Sequence, residues 1–288
     1  MIQDSISMSL RSSNASVSSV ELPHGAIHLW YVSLDQEVSH LPLLFKALSA
    51  DERMRADRFH FEKDRRHFIL CRGILRVILG CYLTVDPTGL CFTYGAKGKP
   101  ALVDDGGNGT IYFNLSHSGG MALYAFTREG EIGVDIEHVH TMPDMDRVAE
   151  RFFSAREIAA FRSVPPGLKQ EAFYDCWTRK EAFIKALGEG LSFPPDRFEI
   201  SLTPGEPARL RWLDGNVRAA SDWTIRQLTI AEGFSAAFAI HKRTVHYQCR
   251  QWDGNLARHH ACYRRQPELP GILLEQVKPQ QPLCASPG

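Results

Sequence analysis

The segment Gly133–Val134–Asp135–Ile136–Glu137 sets two carboxylates one residue apart in a run that is otherwise apolar. In an extended chain alternate side chains share a face, so Asp135 and Glu137 point together while Val134 and Ile136 turn into the core. Neighbouring carboxylates repel unless a cation or proton lies between them, and all-oxygen ligands favour a hard ion such as Mg²⁺. The plainer alternative is a strand edge carrying two solvated acids.

A second segment runs from Trp177 to Lys185 (WTRKEAFIK) and continues as Ala186–Leu187–Gly188–Glu189–Gly190–Leu191. On a helix, Trp177, Glu181 and Lys185 stand one above another on a single face. One reading is a surface Glu–Lys pair worth about 0.3 kcal/mol. The other makes Glu181 a metal ligand or base and Lys185 a phosphate partner. A Trp on the same face implies a partly buried stripe, which favours the second. Gly188 and Gly190 close the helix.

Weaker signals surround these two. Gly98–Lys99–Pro100 puts a cation on a short stiff loop, and Phe113 to Gly120 (FNLSHSGG) places Ser116 and His117 at a strand end before a glycine turn. A cation, a hydroxyl and an imidazole together suit a phosphate, although a lone His in a turn is more often structural. A serine hydrolase built from Ser116, His117 and Asp135 is a poor fit, because no G-x-S-x-G elbow surrounds Ser116 and adjacent strand residues face opposite ways. Ser154 with Glu157 three positions on reads as a capping box, and Phe152 and Phe153 as core. Arg53, Arg55, Arg58, Lys63, Arg65 and Arg66 cluster, but interleaved acids make most of that surface a solvated face.

These residues need elements to hold them. Residues 26–33 read as a first strand, followed by a helical stretch from about Ser49 to Tyr82 whose Leu70, Ile74, Val77 and Ile78 form an apolar stripe. Short strands follow near 90–95, 111–116, 121–127 and 132–139, with a glycine-rich surface loop at 104–109. Helices at about 145–163 and 168–187 precede strands at 198–202, 208–212, 223–230 and 235–241. Strand, helix, strands, then helices and strands again predict an α+β fold of two similar halves. The boundaries are a disordered leader over 1–22, halves over 23–134 and 135–245, and a peripheral or disordered tail over 246–288.

Composition narrows the function. The 288 residues carry 33 basic and 33 acidic side chains, 44% apolar and 23% charged residues. No net basic field points to nucleic acid, so an anionic ligand needs a local cluster. Seven scattered cysteines without a CxxC pair argue against zinc or a disulfide framework and fit a reducing cytoplasm. No apolar run spans a membrane, the serine-rich start is not a signal peptide, and Asn14–Ala15–Ser16 is read as a chance sequon.

Taken together, GKP at 98–100, FNLSHSGG at 113–120, GVDIE at 133–137, FFSAREIAAF at 152–161 and WTRKEAFIKALGEGL at 177–191 occur in the order and spacing of a known family. Across residues 26 to 241 the chain resembles the Sfp-type phosphopantetheinyl transferases. The resemblance implies a pseudo-twofold pair of α+β halves with coenzyme A in the cleft between them. It implies Asp135, Glu137 and Glu181 as Mg²⁺ ligands, Lys185 on the transferred phosphate, and Glu181 as a general base. It further implies Ser116 and His117 on the 3′-phosphate, with Lys99, Pro100 and Arg55 as other coenzyme A contacts. The partner basic position one turn before Arg55 is Glu52, a departure from the family pattern unless Arg53 substitutes for it. The expected activity is Mg²⁺-dependent transfer of phosphopantetheine from coenzyme A to a serine of an acyl or peptidyl carrier protein, by a monomer. Two rivals are a non-catalytic binder of coenzyme A or a carrier domain, and a metal-dependent nucleotide phosphohydrolase.

Overall fold

The computed structural model describes residues 21–35, 40–103, 110–190 and 193–254. The leader up to residue 20, the loop at 104–109, Leu191 and the tail from 255 lie outside the described residues.

The chain runs twice through one topology. The first pass is β1 (Ala26–Ser33), α1 (Leu41–Ala47), α2 (Ala50–Ala56), α3 (Glu62–Leu83), the small hairpin β2 (Phe92–Tyr94) and β3 (Pro100–Leu102), then β4 (Tyr112–Ser118) and β5 (Met121–Thr127). The second is β6 (Ile132–His138), α4 (Met145–Phe152), α5 (Ala155–Arg162), α6 (Lys169–Leu187), the small hairpin β7 (Phe198–Ile200) and β8 (Leu210–Leu213), α7 (Val217–Ala220), β9 (Thr224–Leu228) and β10 (Phe234–Ile240). The sheets order as β1–β5–β4 and β6–β10–β9, so in each the first strand pairs with the third. The expected pair of similar α+β halves is therefore present, repeated in connectivity and not in sequence.

Each sheet is buried on both faces. Ile27 and Leu29 of β1 and Leu123 and Ala125 of β5 meet Val134 and Ile136 of β6 and Ala236 and Phe238 of β10 in a shared apolar layer. The opposite face of the first sheet packs on α3, and that of the second on α6. The result is helix, sheet, sheet, helix.

Several boundaries differ from the sequence reading. The stretch from Ser49 to Tyr82 is two helices, because Phe61 takes an extended conformation (φ −97°, ψ 131°) with no Gly or Pro to announce it. In α3 every residue from Ile69 to Tyr82 is buried, not one stripe, since α1 covers the side away from the sheet. Nor is α2 simply solvated: Glu52 is buried and accepts from Arg72 Nε at 2.7 Å and Arg76 Nε at 2.5 Å. The segment 145–163 likewise breaks before Ser154, whose capping box with Glu157 opens α5.

Domain limits shift too. A boundary at 134/135 would cut through β6, which belongs whole to the second half; the halves join at the turn before Ile132. Leu22, placed in the leader, is buried in the first core. The tail is not peripheral from 246: β11 (His246–Gln251) pairs in parallel with β1, from Ala26 opposite His246 to Tyr31 opposite Gln251. Trp252 then enters the first core, its ring edge-on to Trp30 at 6.2 Å. A polar-looking strand such as HYQCRQ gives no alternation to read, because it is an edge strand with most side chains in solvent.

Candidate active site

The site lies where the two halves abut. β4 and β6 belong to different sheets and share no backbone ladder. Polar side chains of β4 join them instead. Val134 N donates to Asn114 Oδ1 at 2.9 Å, Ser116 Oγ donates to Asp135 Oδ1 at 2.8 Å, and Ser118 Oγ donates to Glu137 Oε2 at 2.6 Å. Both sets of numbers rise together, so the strands run side by side in parallel.

β6 turns Gly133, Asp135 and Glu137 towards α6. A Cβ on Gly133 would stand 2.0 Å from Ala182 O and 2.4 Å from Ala186 N, so only glycine lets the helix backbone lie this close. That close approach brings Glu181 and Lys185 to the strand. Lys185 Nζ donates to Asp135 Oδ1 at 2.6 Å and to Ser116 Oγ at 3.0 Å. Aromatic packing sets the upper part of α6: Trp177 lies against Phe152 and Phe173, with centroids at 5.3 and 5.9 Å. The structure rejects two solvated acids on a strand edge, since Asp135 is buried. It also rejects a surface Glu–Lys pair, since Lys185 binds the strand.

The electrostatics of the cluster are those of an acid site short of positive charge. Burial, then repulsion from Asp135 and Glu137, pushes Glu181 up to about 7, against the pull of Lys185. Burial also raises Glu137, with Asp135 adding to it and the Ser118 hydrogen bond opposing. Asp135 is raised by burial although Lys185 and Ser116 both favour its charged form. Its Oδ2 is buried without a hydrogen-bond partner, a costly state for a carboxylate oxygen. Hard oxygen donors in these numbers, with one buried oxygen unsatisfied, fit Mg²⁺. The cage is not preassembled: among the described residues no trio of His, Cys, Asp or Glu is arranged as one.

The other expected site residues separate. His117 faces away from Ser116 across β4 and is exposed, so the pair does not act from one side. Lys99 gives its ammonium to Glu131 Oε2 at 2.5 Å, Lys185 O at 2.9 Å and Ile132 O at 3.1 Å, tethering the end of α6. Pro100 starts β3 opposite Tyr94. Arg55 is exposed, its guanidinium over the Phe68 ring at 5.3 Å, beside a groove lined also by Asp51, Arg72 and Tyr94. The Glu52 departure has a structural cause: its carboxylate is held between Arg72 and Arg76. Sequence reasoning gave no role to Asn114, Ser118 or Gly133. The available signal was the polar alternation N-x-S-x-S along β4, which on a strand beside acids marks a polar seam.

Two family models match the chain. The 4′-phosphopantetheinyl transferase superfamily matches residues 131–239, and the 4′-phosphopantetheinyl transferase N-terminal region matches 35–128. The chain is 42% identical to the 4′-phosphopantetheinyl transferase HetI of Nostoc sp. over 74% of its own length and 87% of that protein's. It is 32% identical to a 4′-phosphopantetheinyl transferase of Bacillus subtilis, over 60% of this chain and 75% of the relative. Against the human L-aminoadipate-semialdehyde dehydrogenase-phosphopantetheinyl transferase it is 29% identical over 69% of each. The chain therefore belongs to the 4′-phosphopantetheinyl transferase family, and is an enzyme of that class.

Proposed function

We propose that the chain moves the phosphopantetheine arm of coenzyme A to a serine hydroxyl of an acyl or peptidyl carrier protein, with Mg²⁺, in the cleft between its halves. One observation carries this reading: Asp135 and Glu137 crowd Glu181 closely enough to repel its charge, Lys185 donates to Asp135 Oδ1, and the buried Oδ2 of Asp135 is left over. Three crowded acids, only one of them hydrogen-bonded to an ammonium among the described residues, suit a divalent ion. Asp135, Glu137 and Glu181 would hold Mg²⁺, which when bound neutralises the pyrophosphate of coenzyme A.

The chain's own residues do the rest. Lys185 exchanges its contact with Asp135 for an oxygen of the transferred phosphate, steadying charge as the phosphorus is attacked. The serine oxygen bonds to the β-phosphorus, the bond to the bridging oxygen breaks, and the electron pair leaves with 3′,5′-ADP. Glu181 takes the serine proton as the general base. Ser116 orients Asp135 and Lys185 together. Arg55 and His117 lie outside the cluster and are free to meet the nucleotide's other phosphate. Lys99 serves by fixing α6; for it to reach a phosphate, that tether must break.

Both halves of the cleft lie in one chain, so a monomer suffices. No helix among the described residues is long and apolar enough to cross a membrane. Among the described residues no two cysteines are joined in a disulfide, which suits a reducing cytoplasm. The test is a mass shift on an apo carrier domain incubated with enzyme, coenzyme A and Mg²⁺. A gain of one phosphopantetheine, lost on chelation, is expected. No gain with several carriers, despite coenzyme A binding, would favour the non-catalytic binder.

A further inference from the structure

The turn between β4 and β5 does more than join them. Gly119 and Gly120 both hold positive φ (52° and 78°), the requirement of a tight type I′ hairpin. The register is thereby fixed, with Ser118 opposite Met121 as the last pair before the turn. The same turn lies against the end of β6: a Cβ on Gly119 would stand 2.4 Å from His138 Cβ. Ser118 is held from both sides. Its hydroxyl accepts from His138 N at 3.2 Å and donates to Glu137 Oε2 at 2.6 Å. A hydroxyl has one proton, so accepting from the backbone leaves that proton for the carboxylate alone.

We infer that Ser118 is a positioning residue for the metal site, turning the Glu137 carboxylate to the side of β6 that faces Glu181. The inference rests on the reading of Glu137 as a Mg²⁺ ligand. The alternative is that Ser118 merely stitches β4 to β6. Asn114 already does that through Val134 N, without touching any acid of the site. The two roles separate by measurement. Hydrogen-bond partners of metal ligands are typically worth about tenfold to a hundredfold in metal affinity. A seam contact acts on stability and leaves metal affinity alone.

The experiment measures Mn²⁺ binding to the full chain, without coenzyme A, by calorimetry or by the electron spin resonance of free Mn²⁺. Ser118→Ala should weaken Mn²⁺ about tenfold. The Mg²⁺ concentration for half-maximal transfer should rise in step, with the KM for coenzyme A little changed. Ser118→Thr, which keeps the hydroxyl, should restore most of the affinity. Asn114→Ala should lower the melting temperature yet leave Mn²⁺ affinity near that of the wild type. Wild-type Mn²⁺ affinity in Ser118→Ala, or equal losses in Asn114→Ala and Ser118→Ala, would overturn the positioning role. Undiminished Mn²⁺ binding in Glu137→Ala would instead overturn the ligand assignment, and Ser118's role with it.

Discussion

The first strand of each half faces its long helix with three alternate side chains, and the two sets differ in kind. β1 presents His28, Trp30 and Val32 to α3; β6, at the same place in the repeat, presents Gly133, Asp135 and Glu137 to α6. In the first half the polar atoms are satisfied: Tyr82 OH meets His28 Nδ1 and Trp30 Nε1, each at 2.8 Å. The buried acid there, Glu52, has a guanidinium on each oxygen. In the second half three buried or half-buried carboxyls crowd together, and the Lys185 ammonium meets Asp135. A core whose polar groups are all partnered is a scaffold. One that leaves acids crowded and short of partners is holding room for a ligand.

The comparison breaks most sharply at the two acids. Glu181→Gln should lower transfer by about a hundredfold to ten-thousandfold, the range of a lost general base, while thermal stability in Mg²⁺-free buffer stays equal or rises because repulsion is relieved. Near-normal turnover would remove Glu181 from the chemistry. Glu52→Ala should do the reverse. It leaves two buried guanidiniums without their carboxylate and should cost about 3–5 kcal/mol in denaturant unfolding, with the Mg²⁺ requirement of the folded fraction unchanged. A stable Glu52→Ala protein would mean the arginines find other acceptors.

A smaller effect sharpens the role of close approach. Gly133→Ala must push Ala182 and Ala186 away from β6, an overpacking cost of about 1–3 kcal/mol, and should lower transfer by more than the stability loss explains. Equal stability and activity would show that α6 can shift without losing Glu181. The smallest effect at neutral pH belongs to the scaffold. Burial, with the charge of Arg250, holds His28 down at about 4, so it folds neutral while the unfolded chain takes up a proton below about 6.5. Stability should therefore fall as pH drops from about 6.5 towards 4 and be unaffected above that window. His28→Phe should flatten the fall of melting temperature over that range; an unchanged slope would assign it to other groups.

Much of the site was legible along the chain because it depends on local periodicity. Alternation put Asp135 and Glu137 on one face, the helical repeat put Trp177, Glu181 and Lys185 on another, and the Ser154–Glu157 box opened α5. The sequence alone determined the two elements to which the chemistry is assigned, since period 2 and period 3.6 are properties of the backbone itself. Tertiary structure decided which partners those side chains meet. Lys185 turns to Asp135 and not to Glu181, Lys99 is spent on α6, and Ser118 reaches Glu137 across a seam between sheets. Glu52 is buried by arginines twenty or more positions away, and β11 returns from beyond the second half to pair with β1. These are contacts between residues far apart in sequence, fixed by how layers stack and how closely one glycine lets a helix approach, and no local pattern encodes them.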